Sequence, residues 1–89
     1  MDLHEIQSLI TAGEAEKALN MLTEAINAAP ANDELLFARG KLYWRLGKRS
    51  AATSDFAGAA ALNPDSPAVR ALEQARDVAD FFNPDLYNP

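Results

Sequence analysis

Residues 36–64 read LFARGKLYWRLGKRSAATSDFAGAAALNP, and this stretch decides the fold. Leu36, Gly40, Tyr43 and Leu46 recur at steps of three and four, the spacing of one face of an α-helix. Gly47 follows at once, where a helix exit calls for the positive φ that glycine adopts without strain. A second stripe, Ala52, Phe56, Ala59 and Ala60, predicts a helix from about Lys48 to about Ala61. Asn63-Pro64 stops it, because proline lacks the amide hydrogen and its ring clashes with the turn before. Upstream, Asn32 and Asp33 are cap candidates for the first helix. The stretch is thus a helical hairpin, in which small residues let the helices approach and large ones fill the gaps.

Stepping back 34 residues gives the same pattern. Gly13 precedes Gly47 by that interval, Ala18 precedes Ala52, Ala25 precedes Ala59 and Pro30 precedes Pro64. At intervening positions Leu9 matches Tyr43, and Leu22 matches Phe56. Asp2 and Glu5 have capping-box spacing and open a helix that runs to about Ala12. A second helix over about Ala15–Ala28 carries Ala18, Leu22, Ala25 and Ile26 along one side, and Pro30 ends it.

Downstream, Ser66-Pro67 is a hydroxyl cap followed by proline in the first helical position. Val69, Leu72, Ala75, Ala79 and Phe82 then trace a face, predicting a fifth helix over about 67–82. Its role is to cover Phe56, Ala59 and Leu62, which would otherwise face water. Gly58 costs about 1 kcal/mol against alanine in a helix, and close approach of the fifth helix is the expected compensation. Two Asn-Pro steps end helical structure after Phe82. The tail 83–89 is either a frayed terminus or, through Leu86 and Tyr87 beside Phe81 and Phe82, folds back on the body or a neighbouring subunit.

These residues resemble the tetratricopeptide repeat family, whose 34-residue unit reads W-x2-L-G-x2-Y, then A-x3-F, then P. The second unit supplies Leu36, Gly40, Tyr43, Ala52, Phe56, Ala59 and Pro64 without a gap; the first supplies Ile6, Leu9, Gly13, Ala18, Leu22, Ala25 and Pro30. The resemblance implies an all-α fold: a right-handed stack of two helical hairpins, about 2–30 and about 32–64, closed by the helix at about 67–82. Residues 1–82 are then one domain. Such stacks generally need three units or more, and here the closing helix stands in for a third. Glu5, Arg39 and Glu73 share one repeat position that is normally apolar. They read as inter-repeat ion pairs, as an Arg39–Asp55 pair within the second hairpin, or as side chains that snorkel to water.

Composition narrows the function. The 89 residues carry a net charge of −5, 48% hydrophobic residues, one histidine and no cysteine. An acidic chain has no general affinity for nucleic acid, and no apolar run reaches the roughly 20 residues of a membrane span. Without cysteine there is no disulfide, thiolate nucleophile or thiolate metal site. His4 lacks the second ligand of a metal site, no phosphate loop occurs, and the carboxylates are read as solvent-facing. We therefore expect no catalytic residues, cofactor or metal. With an acidic start unlike a signal peptide, the expected compartment is the cytoplasm.

Charge is unevenly spread. Residues 1–34 carry −6, residues 35–62 carry +4 and residues 63–89 carry −3. That suits stacking of successive units and favours an acidic partner over the centre.

In the resembled fold, the first helix of each unit lines a concave surface. In the second unit the residues so placed are Glu34, Phe37, Lys41, Trp44 and Arg45. In the first they are Leu3, Gln7, Ile10 and Thr11, and in the closing helix Ala71, Ala75 and Val78. Phe37, Lys41, Trp44, Arg45 and Gln7 are the candidate peptide-binding residues, since rings cover apolar side chains and cations meet carboxylates. The alternative for Phe37 and Trp44 is internal packing. The positions at which some family members hold a chaperone's terminal carboxylate carry Leu3, Gln7, Ala38, Ala68 and Leu72, so that activity is not expected. Two readings follow: a non-catalytic adaptor for a protein or peptide, or a self-associating structural protein using its repeat ends or apolar tail.

Overall fold

The structure, a computed structural model, describes residues 3–82. It consists of five helices in series: α1 (Leu3–Thr11), α2 (Ala15–Ala28), α3 (Asp33–Arg45), α4 (Arg49–Leu62) and α5 (Ala68–Phe82). Among the described residues there is no strand. The expected Asp2 cap, the tail 83–89 and the packing of the Phe81 and Phe82 side chains lie outside what is described.

Both glycine turns use the same device. Gly13 and Gly47 have φ of +83° and +79°. The Gly13 amide donates to the Ile10 carbonyl at 3.1 Å and the Glu14 amide to that of Leu9 at 2.8 Å. Gly47 and Lys48 repeat this on Trp44 and Tyr43, at 3.1 and 2.9 Å. Two carbonyls left over at each helix end are thereby satisfied in a Schellman motif. An added Cβ would touch nothing at either glycine, so dihedral freedom is what the site requires.

The proline stops are secured by side chains. Asn32 caps α3, its side-chain oxygen accepting from the Leu35 amide at 3.2 Å. Asn63 accepts from the Asp65 amide at 3.0 Å and donates from its own amide group to Asp33 at 3.2 Å, tying the loop after α4 to the start of α3. Ser66, buried, accepts from the Ala68 amide at 3.0 Å and fixes the entry to α5.

Two cores result. The first joins α1, α2 and α3 through Ile6, Leu22 and Leu42, all fully buried, with Ala18, Leu19, Ile26 and Leu35 around them. The second sets one phenyl ring, Phe56, among Ala52, Ala59, Ala68, Ala75 and Leu72 of α4 and α5. Gly40 of α3 lies against that ring; a Cβ there would come within 2.6 Å of Phe56 Cε1.

Several expectations are corrected. Leu46 and Leu62 are exposed rather than core, at 37% and 44%: Leu46 sits at the turn and Leu62 at the last residue of α4, where no described residue covers them. Gly58 faces Leu36 of α3, whose Cδ1 would stand 3.4 Å from an added Cβ, so its neighbour is not the closing helix. Not every carboxylate is solvent-facing, since Asp55 is buried. Arg39 holds it with two bonds, Nε to Oδ2 at 2.7 Å and Nη2 to Oδ1 at 2.8 Å. Of the three readings for Arg39, the pair within the hairpin is realised, and neither Glu5 nor Glu73 is its partner. Helices α3 and α4 run side by side, which brings Asp55 closer than residues one full unit away. The third guanidinium nitrogen donates to Thr23 of α2 at 3.4 Å, so Arg39 links both hairpins. The hydrogen bond to Asp55 raises the Arg39 pKa above its ordinary value, against the opposing effect of burial.

Candidate functional site

The main groove lies between α3 and α5 with α4 beneath, a cavity of about 820 Å³. Its α3 wall is Phe37, Lys41, Trp44 and Arg45, which the steps of four, three and one place on one helical face. Phe56 of α4 lies at the floor, with Ala71 and Ala75 of α5 beside it. Arg70, Glu73 and Gln74 form the opposite wall.

The aromatic groups are held from two sides. The Phe37 and Phe56 ring centroids are 5.9 Å apart at 48°, within the range of favourable tilted pairs. Lys41 Nζ stands 4.7 Å from the Phe37 centroid, and the Arg49 guanidinium 5.3 Å from that of Trp44. These are cation–π distances, and they keep positive charge at the lip of an apolar trough. Phe37 and Trp44 are half-buried and pack against the second core while also lining the groove. The two readings given for them, groove wall and internal packing, therefore both hold in part.

Four of the five candidate residues share this groove; Gln7 does not. Gln7 lines a smaller trough of about 210 Å³ between α1 and α3, together with Leu3, Ile6, Ile10, Leu22 and Leu42. Its amide group donates to Thr11 Oγ1 at 3.5 Å, one turn on. Lys41 and Arg45 line both troughs and form the ridge between them. Glu34, in the first turn of α3, lines a shallow recess with residues 29–33 and is not among the residues lining the main groove.

Sequence reading placed Ala71 and Ala75 on this face but missed Phe56 in the floor and Arg70, Glu73 and Gln74 in the far wall. Phe56 reads as core, and it is, at 4% exposure, yet it also closes the bottom of the groove. Arg70, Glu73 and Gln74 had a usable signal, because they sit at helical spacing beside the buried stripe Ala68, Leu72 and Ala75. His4 is exposed on α1 and far in sequence from every groove residue.

The sequence profile of the tetratricopeptide repeat family matches residues 9–76. A Bacteroides fragilis protein, known from a solution NMR structure, is 39% identical to this chain with a TM-score of 0.83. The similarity covers 99% of this chain and 91% of that one. No curated protein matches. None of the described helices is long and apolar enough to cross a membrane.

Proposed function

The chain belongs to the tetratricopeptide repeat family, and from that premise we propose that it is a non-catalytic adaptor that holds a protein or peptide partner in the α3–α5 groove. Repeats of this family generally mediate protein–protein interaction and are generally without catalytic activity. The observation that carries the reading is one groove in which three aromatic rings, Phe37, Trp44 and Phe56, lie beneath three exposed cations, Lys41, Arg45 and Arg70. Aromatic and arginine side chains in a desolvated recess are the usual anchors of protein contacts. Glu73 is the acid among the lining residues, so the groove is basic on a chain whose net charge is −5. That contrast favours an acidic partner and steers its approach.

The test begins with capture from native lysate and identification of the retained protein. Binding of that protein, once purified, is then measured by calorimetry. Trp44→Ala is expected to weaken binding at least tenfold while helix content by circular dichroism stays intact. The double variant Lys41→Glu/Arg45→Glu, at exposed positions, checks the result without touching either core. Full binding by both variants, or unfolding of the first with full binding by the second, would overturn the groove as the site.

A further inference from the structure

We propose that the partner segment is extended and crosses α3, with an apolar side chain, a carboxylate and a second apolar side chain at alternate positions. This rests on the groove reading above and specifies the ligand it takes. The concave face is two troughs, one on each flank of α3. The one towards α5, about 820 Å³, falls within the roughly 300–1,000 Å³ of ligand sites, whereas the one towards α1, about 210 Å³, has room for a single side chain. Ile6, Leu22 and Leu42 make the floor of the smaller trough apolar. A side chain seated there is aliphatic.

The distance between troughs is set by the helix that separates them. An α-helix with its side chains is about 10–12 Å across. An extended chain advances about 3.3 Å per residue and returns to the same face every second residue. Residues i and i+4 then stand about 13 Å apart on one face, enough to straddle α3. Residue i+2 shares that face and lies over the ridge.

The ridge is Lys41 and Arg45, the two residues common to both troughs. Both are exposed, and among the described residues neither is ion-paired. Lys41 is instead parked against the Phe37 ring. A carboxylate at i+2 meets these cations, and drawing Lys41 off the ring opens Phe37 to the apolar residue beside it. The pattern is thus apolar-x-acidic-x-apolar, the aliphatic member towards α1 and the aromatic one towards α5.

The probe is the capped peptide Gly-Leu-Ser-Asp-Ser-Trp-Gly, titrated into the isotope-labelled full chain and followed by two-dimensional amide NMR. Shifts are expected on both flanks of α3, at Gln7 and Ile10 as well as at Val69 and Gln74. Exchanging Asp for Lys, or rearranging to Gly-Leu-Asp-Trp-Ser-Ser-Gly, is expected to weaken binding at least tenfold. The Lys41→Glu/Arg45→Glu variant should reverse the preference and take the Lys peptide over the Asp one. Shifts confined to the α5 flank, or equal affinity for the rearranged peptide, would overturn the two-trough ligand and leave the groove reading standing. No response at Phe37 and Trp44 to any of the peptides would also overturn the two-trough ligand, whereas the groove reading falls only if the captured partner binds the Trp44 and Lys41/Arg45 variants in full. Concentration-dependent shifts without peptide would mean that a second copy fills the troughs, and that too overturns the proposal.

Discussion

The two cores are made of different material. The one around Ile6, Leu22 and Leu42 is a cluster of large aliphatic side chains, each with several neighbours of its own kind. The one around Phe56 is a single buried ring among alanines and Leu72, with Gly40 pressed on its edge. In the first, loss of one side chain leaves others that can shift toward the gap. In the second, the alanines have no rotamer to adjust, so Phe56 is the main filling between α3, α4 and α5, with Leu72 and the half-buried Phe37 and Trp44 against it. That same ring floors the larger groove, so stability and binding surface are joined there; in the first core Ile6, Leu22 and Leu42 also floor the smaller trough, whereas Leu19 and Ile26 line neither.

The sharpest way to break this comparison is to truncate each core. Phe56→Ala is expected to cost about 3–5 kcal/mol, the top of the range for core truncations. Leu19→Ala, in the first core and away from both troughs, is expected to cost about 2–4 kcal/mol. Chemical denaturation measures both. Trp44, the chain's one tryptophan, reports the difference. Its emission should change in folded Phe56→Ala and stay constant in folded Leu19→Ala. Equal emission in the two would mean that the groove does not depend on the ring.

Next in size is the link between the hairpins. Arg39→Met leaves the Asp55 carboxylate buried without its partner, and about 3 kcal/mol should be lost. Replacing both members by apolar residues is expected to restore much of that, since the cost comes from the stranded charge. A double-mutant cycle with Thr23→Ala would show whether the contact at 3.4 Å carries coupling between the units.

Two helical glycines give a finer contrast. Gly40→Ala must push a Cβ into the Phe56 ring, and a loss of about 1–3 kcal/mol is expected from overpacking. Gly58→Ala meets Leu36 at an ordinary 3.4 Å and gains helix propensity, so a rise of about 0.5 kcal/mol is expected. Thermal melts of the two variants should shift in opposite directions. A loss at Gly58 would mean that α3 and α4 are packed tightly along their whole length, not only at the ring.

Read from the residues alone, the turns and stops come out almost to the residue. Gly13, Gly47, Pro30, Pro64, Asn32 and Ser66 act through the backbone within a few positions of themselves, so neighbours in sequence suffice to interpret them. Helical spacing likewise places Phe37, Lys41, Trp44 and Arg45 together on α3, before anything is known of what faces them. The repeat frame groups Gln7 with them, because it gives equivalent positions but no distance across α3.

What folding alone decided are the relations between helices. The repeat frame set Arg39 beside Glu5 and Glu73, yet its carboxylate is Asp55, sixteen residues on, because the antiparallel neighbour is nearer than the next unit. Gly40 reads as one more small residue on a stripe, and only the position of the Phe56 ring shows why nothing larger fits. The ridge of Lys41 and Arg45 exists because α1 and α5 flank α3 at particular depths. Backbone preferences act over a turn of chain and can be read locally; ion pairs, close contacts and troughs depend on distances that the packed helices set.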